Sequence, residues 1–190
     1  MKRIVIFASG SGTNAENIIK YFQKSTVATV VRVLSNKKDA NVFNRCNRLN
    51  IKSLYFNRSD FLDSDKVLKL LKTEADFIVL AGFLWRVPQK IITAFPQKII
   101  NIHPALLPNY GGKGMYGRHV HEAVVANGEK ETGITIHYVN ENYDEGAIIF
   151  QKKVNVAAGD SPQDIAAKVH QLEYKYFPVI INQVILNNAN

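Results

Sequence analysis

Short apolar runs rich in β-branched residues alternate with segments whose apolar residues recur every three or four positions. Arg3–Ala8 is continuously apolar after its first residue and predicts a buried strand. Asn14–Gln23 predicts a helix with Ile18, Ile19 and Phe22 on one face. Thr29–Leu34 follows as a strand, Ala40–Leu49 as a helix and Lys52–Tyr55 as a short strand. Asp65–Lys72 has helical period, with Val67, Leu68 and Leu71 facing inward. Phe77–Ala81 is a strand closed by Gly82, Pro88 is suited to open a helix as its first residue, and Lys98–Ile102 is another strand. This alternation predicts an α/β, Rossmann-like, mostly parallel sheet with helices on both faces.

The pattern changes in the second half. His103–Arg118 contains two prolines and four glycines and predicts a long loop before a helix at His119–Ala126. Thr132–Val139 and Ala147–Val154 flank the turn-rich Asn140–Gly146, as antiparallel strands would. A final helix should start with Ser161 as cap, Pro162 in its first position and Asp164 completing a capping box. Ile165, Val169, Leu172 and Tyr176 are its expected buried face, and Pro178 is expected to kink or end it. No repeat or linker interrupts the chain, so residues 1–190 are read as a single domain.

Composition narrows the function classes. The 190 residues are 46% hydrophobic and 21% charged, which suits one globular domain with a sizeable core. No run approaches the ~18 apolar residues of a membrane span. The apolar run after Met1-Lys2-Arg3 is too short for a signal core. One cysteine, Cys46, excludes an internal disulfide and a cysteine-rich metal site. A cytoplasmic location is expected, without membrane association. The net charge of +8 favours anionic partners. Lysine and arginine are scattered, so anionic small molecules or a solvated surface account for the charge more simply than nucleic acid.

Ser9-Gly10-Ser11-Gly12-Thr13-Asn14-Ala15 lies between the first strand and the first helix. Free backbone N–H groups and the positive end of the helix dipole make such a turn an anion site. The spacing also fits a dinucleotide fingerprint, but an NAD site needs an acid at the end of the second strand. That strand ends Ser35-Asn36-Lys37-Lys38. A phosphate monoester is the favoured ligand, with a dinucleotide or an unliganded tight turn as alternatives.

Asn101 and His103 alternate on a strand, so both side chains share a face at its carboxyl end. An amide beside an imidazole can stabilise an oxyanion. Asp144, in Asn140-Glu141-Asn142-Tyr143-Asp144-Glu145-Gly146, would raise the imidazole pKa and fix its tautomer if it came close. Satisfied polar side chains at a strand end and a solvated acidic turn remain the alternatives.

Ser9–Asn14, Asn101-Ile102-His103-Pro104 continuing to Leu106-Leu107-Pro108, Ile134–Val139 leading to Asp144, and Gly159-Asp160-Ser161 occur in an order that resembles the phosphoribosylglycinamide formyltransferase family. This is one branch of the folate formyltransferases, and the likeness spans nearly the whole chain. It implies the formyltransferase fold and transfer of a formyl group from 10-formyltetrahydrofolate to the amine of glycinamide ribonucleotide in purine synthesis. It implies Asn101, His103 and Asp144 as catalytic residues, and His137 as a further active-site histidine. Gly12, Thr13, Asn14 and Glu173 are implied on the substrate side. Leu84, Trp85, Arg86, Val87, Asn140, Glu141, Asn142 and Tyr143 are implied in the folate pocket. Asn101 and a protonated His103 would hold the oxyanion, and Asp144 would stabilise the imidazolium and relay the proton.

The resemblance implies formyl-folate as cosubstrate, no metal, only small-molecule partners, and a monomer or homodimer. His119 and His121 alternate without a third ligand and make a weak metal site. The chain departs from better-known members at Trp85, where they carry arginine, and in the longer Gly111–Gly117 stretch, a lid candidate. An arginine for the folate tail has no clear counterpart near Asp63–Asp65. Lys113, Arg86 or Arg118 are the expected substitutes. Initiator-tRNA formylation would use the same trio but needs a C-terminal nucleic-acid-binding domain; formyl-folate hydrolysis needs an N-terminal regulatory domain. A phosphometabolite-sensing module would use only the glycine turn.

Overall fold

The computed structural model describes residues 1–188. Among these, seven strands form one sheet in the order β3-β2-β1-β4-β5-β6-β7. β1 (Lys2–Phe7), β2 (Ala28–Ser35), β3 (Ser53–Tyr55), β4 (Phe77–Leu80) and β5 (Ile99–His103) are parallel. β6 (Glu131–Tyr138) and β7 (Ile148–Asn155) continue the sheet antiparallel, as the change of pattern implied. The helices are α1 (Thr13–Phe22), α2 (Val42–Arg48), α3 (Arg58–Leu62), α4 (Lys66–Glu74), α5 (Gln89–Ala94), α6 (Arg118–Ala126) and α7 (Pro162–Asn187). None is long and apolar enough to cross a membrane.

β1 explains why a buried parallel strand is apolar throughout. Ile4 and Ile6 enter one core with α1 and α7, while Val5 and Phe7 enter the other with α4 and α5. From β1 the chain moves outward to β2 and β3, then crosses to β4 on the opposite side of β1. The segments leaving β1 and β4 therefore diverge and open a crevice at their carboxyl ends. Gly12 sits there with φ of 74°, and a Cβ would lie 2.4 Å from Val42 Cγ2, so only glycine lets α2 pack on this turn.

The antiparallel register sets the other side of the crevice. Asn101 pairs with His137 and His103 with Thr135 across β5 and β6. The buried Thr135 hydroxyl donates to the Ala105 carbonyl at 2.7 Å and accepts from the Leu107 amide at 3.0 Å, tethering the long loop after β5.

Three expectations need correction. The Ser161–Asp164 capping box forms, but the buried stripe of α7 runs through Ile165, Val169, Glu173 and Phe177. Leu172 and Tyr176 lie on its half-buried shoulder, because a carboxylate occupies a position the apolar pattern assigns to a hydrophobe. Pro178 does not end the helix, which continues to Asn187. A proline deprives the carbonyl four residues earlier of its N–H donor, and Asn17 Nδ2 supplies a replacement to the Tyr174 carbonyl at 2.8 Å. Pro88 caps α5 rather than occupying its first turn, and α3, unforeseen, is closed by an Asn57–Asp60 capping box.

Asn17→Ala should therefore destabilise the protein by about 1 kcal/mol and have less effect in a Pro178→Ala background, where the helix recovers its own N–H donor. A double-mutant cycle in urea would show this coupling; additive effects would contradict it.

Candidate active site

The crevice is a cleft of about 610 Å³ bounded by the β1 turn, the segment after β4, the end of β5, the Gly111–Gly117 loop, the 139–144 turn and α7. Gly12, Thr13, Asn14, Leu84, Trp85, Arg86, Val87, Asn101, His103, His137, Asn140, Asn142, Tyr143, Asp144 and Glu173 all line it. Glu141 does not and is exposed. Of the three cations considered for a carrier's anionic tail, Arg86 and Lys113 line the cleft, whereas Arg118 pairs with Glu122 one helical turn away. Met115 and Tyr116 of the lid candidate and Lys37 just beyond β2 line it, and so do His121 and His170, which had not been singled out for it.

At the centre, Asp144 Oδ2 lies 3.5 Å from His103 Nδ1 and accepts the Gly112 amide at 3.0 Å. Its Oδ1 lies 3.4 Å from Asn101 Nδ2 and 3.6 Å from His137 Nε2. His137 Nδ1 faces the Tyr138 carbonyl at 2.8 Å and so carries the proton. Its Nε2 is then an acceptor for Asn101 Nδ2 at 3.0 Å, which orients the amide. His103 Nε2 faces the Tyr110 carbonyl at 2.6 Å. A carbonyl only accepts, so this nitrogen carries the ring proton and Nδ1 is left toward the carboxylate.

The electrostatics differ from expectation in one respect. Burial lowers the His103 pKa below its ordinary value, outweighing the opposite pull of Asp144 and the Tyr110 carbonyl. For Asp144, burial is the largest single influence and acts upward. The nearby His137 and His103 rings, which attract the carboxylate once protonated, and the Gly112 amide together outweigh it and hold the carboxyl below its usual range. The resting pair is thus a neutral imidazole beside a carboxylate, able to accept one proton at Nδ1. The tautomer is fixed by Tyr110 rather than by Asp144.

At the α1 end, Glu173 Oε2 accepts from Asn14 Nδ2 and His170 Nδ1, both at 2.8 Å. The Glu173 contact raises the His170 pKa. Asn14 Oδ1 and His121 Nδ1 are buried on the cleft wall without hydrogen-bond partners. Such orphaned polar atoms are rare in proteins and suit a bound polar ligand. Gly12 provides no side-chain cap, leaving first-turn amides of α1 for an anion. Glu16, in that same turn, would oppose an anion, but Lys20, Arg45 and Arg48 surround it. Arg45 also donates to the Ser11 carbonyl at 2.7 Å, bracing the turn against α2.

The opposite wall is apolar. Phe83 and Trp85 join Phe7, Phe56 and Phe61 in one aromatic cluster, with Trp85 centred 6.0 Å from Phe56 and 6.1 Å from Phe61. The buried Ser9 hydroxyl links the two ends of the cleft, accepting the Leu84 amide at 3.0 Å and donating to Asn36 Oδ1 at 2.7 Å.

An anion-binding turn, an apolar slot and a proton-accepting trio between them are the parts of a group-transfer site on an open α/β sheet. The chain belongs to the Formyl transferase family, whose profile matches residues 2–181. Within that class it is similar to the chloroplastic phosphoribosylglycinamide formyltransferase of Arabidopsis thaliana, with 38% identity over 190 residues, covering 96% of this chain and 65% of the plant protein. It is also similar to the phosphoribosylglycinamide formyltransferase of Bacillus subtilis (strain 168), with 33% identity over 195 residues, 99% of this chain and 97% of that protein. The crystal structure of phosphoribosylglycinamide formyltransferase from Bacillus halodurans superposes with a TM-score of 0.86 at 34% identity, covering 100% of this chain and 97% of that one.

The Glu16 cluster makes a pH prediction. Its three cations hold the Glu16 pKa at about 2 against an ordinary 4.5, the Lys20 and Arg45 contacts contributing most. A depressed carboxyl pKa stabilises the fold above the unfolded value, and that contribution is lost as pH falls through the folded value. Urea midpoints should therefore fall between pH 4.5 and about 2, and Glu16→Gln should flatten that part of the profile. An unchanged profile in the variant would contradict the assignment.

Proposed function

We propose that this protein transfers the formyl group of 10-formyltetrahydrofolate to the amine of glycinamide ribonucleotide, the reaction of de novo purine synthesis. The observation that carries this reading is the meeting of Asp144, His103 and Asn101 in a cleft that also runs to the α1 turn. The cleft volume falls within the ~300–1,000 Å³ of small-molecule sites. Its residues fit both substrates. The Leu84–Val87 wall, backed by aromatic rings, suits a flat heterocycle, and the turn at Asn140–Asp144 offers polar groups to its edge. The Gly12–Asn14 amides suit a phosphate, and Glu173, with Oε2 already occupied, has Oε1 for the ribose or amine. The reading is of a small-molecule enzyme acting without nucleic acid, in the cytoplasm.

Bound formyl-folate supplies the formyl carbon. The chain's own groups do the rest. Asn101 Nδ2, turned from Asp144, donates to the developing oxyanion. His103 Nδ1, assisted by Asp144, takes the proton lost by the attacking amine and, as an imidazolium, returns it from the same atom to the carrier nitrogen as the bond between that nitrogen and the formyl carbon breaks, releasing tetrahydrofolate. The long loop and the aromatic wall exclude water, which would otherwise compete for the formyl group. Contacts of 3.4–3.5 Å in the trio are long for hydrogen bonds and would tighten when the substrates bind.

Asp144→Asn should lower turnover by ~10²–10⁴-fold while leaving substrate affinity within about threefold. The parent protein should formylate glycinamide ribonucleotide in preference to methionyl initiator tRNA. Near-normal turnover in the variant would remove the proposed trio, and tRNA formylation would replace the proposed substrate.

The folate tail gives a second test. Lys113→Glu and Arg86→Glu should each raise KM for polyglutamylated over monoglutamylated carrier by about fivefold, a surface-charge effect of ~1 kcal/mol. Arg118→Glu should not. Equal KM ratios in all three variants would show that these cations do not read the tail.

A further inference from the structure

Tyr110 meets the site through its main chain and leaves it through its side chain. Its carbonyl accepts His103 Nε2 at 2.6 Å. Its phenol donates to Glu129 Oε1 at 2.6 Å and accepts Asn127 Nδ2 at 2.8 Å, just beyond the end of α6. Tyr110 also has φ of 57°, a left-handed backbone that a tyrosine ordinarily avoids. Gly111 follows in a crowded position, where a Cβ would lie 2.6 Å from Leu107 Cδ2 and 3.3 Å from Asp144 Cβ.

We infer that Tyr110 is a positioning residue: the phenol clamp on Glu129 and Asn127 holds the strained backbone so that its carbonyl selects the His103 tautomer used in proton transfer. The inference rests on the role proposed for His103 above. A neutral imidazole has one proton and two possible acceptors here. The Asp144 carboxylate, 3.5 Å from Nδ1, favours the proton on Nδ1. The Tyr110 carbonyl, closer to Nε2, favours the proton there. Only the second tautomer leaves a lone pair at Nδ1 beside Asp144, where an incoming proton is stabilised by the carboxylate. If the carbonyl swings away, Asp144 draws the proton to Nδ1 and the lone pair moves to the edge facing away from it. The other ionisable groups acting on this ring are His137 and Glu173, and His121 in turn senses His103. None of them touches Nε2.

Tyr110→Phe removes both phenol contacts while retaining the ring and the carbonyl. Glu129→Ala removes the charged partner from outside the site and serves if the first variant folds poorly. Histidine ¹⁵N NMR of the ligand-free protein, with the His103 signals identified by their loss in His103→Asn, reads the tautomer directly. The parent should show the Nε2–H form, and either variant should show a growing share of Nδ1–H. In the formyl-transfer assay kcat should fall about tenfold, part of the range for general acid–base catalysis, with both KM values within about twofold. A parent-like tautomer in the variants, or parent-like kcat despite an altered one, would overturn the inference. Absence of formyl transfer in the parent protein would remove the proposed reaction, and the NMR comparison would still decide whether Tyr110 sets the tautomer.

Discussion

One carboxylate held largely out of water organises this molecule's chemistry. Asp144 is held in its ionised form although burial opposes its charge: the His137 and His103 rings favour the carboxylate once either is protonated, and the Gly112 amide and Asn101 Nδ2 donate to it at rest. Its partners come from β5, β6 and the loop after β5, so satisfying one buried charge ties three segments together. In a site of low dielectric each of these contacts is stronger than in water. The same surroundings keep His103 neutral at rest. Burial thus pushes carboxylate and imidazole in opposite directions on the pKa scale, while their proximity pulls back. A pair balanced in this way can take up and release a proton with little change in its surroundings.

Topology supplies the convergence. The crossover from β3 to β4 opens the crevice beside β1, and the antiparallel return of β6 places His137 opposite Asn101. Fine placement then depends on strained backbone. Tyr110 and Asp144 share a φ of 57°, and each touches His103. Gly146 closes the turn carrying Asp144, where a Cβ would lie 1.7 Å from the Tyr138 carbonyl. Left-handed backbone at two non-glycine residues in direct contact with the site is strain concentrated where the chemistry occurs.

Much of this was legible from the chain. Periodicity located the strands of the parallel half and the long helix, because buried parallel strands and amphipathic helices write their packing directly into residue order. The proposed trio was singled out through its motifs, not through any pattern that brings Asp144 to His103. Periodicity failed where a polar residue or a proline interrupts it. Glu173 occupies the core-facing stripe of α7, so Leu172 and Tyr176 took its place in the expected face. Pro178 read as a helix end because the compensating donor, Asn17, is remote in sequence. Lys37 reads only as part of the basic end of β2 and His121 only as half of a weak histidine pair, since the place of each in the cleft depends on how β2 and α6 pack against the rest. The α3 cap was written in Asn57 and Asp60 but enclosed too short a segment to show a period.

The excess of positive charge now has a physical reading. Among the described residues, Arg3, Arg32 and Arg45 are neutralised by Asp76, Glu74 and Glu16, and they brace the fold. Lys37, Arg86 and Lys113 line the cleft, and among the described residues no carboxylate lies within ion-pair distance of them. Arg86 and Lys113 are exposed, while the cleft's two acids, Asp144 and Glu173, lie deep and are already hydrogen-bonded. The field is therefore positive near the surface and negative at depth. The proposed substrates, which carry phosphate or carboxylate at their far ends and an amine at the reacting end, would be drawn in by the first and turned by the second. A uniformly basic cleft would attract the same molecules without orienting them, since the amine would find no acid to approach. Under the proposed function, the order of charges along the cleft, more than the net charge of the chain, would select an amine-bearing anion.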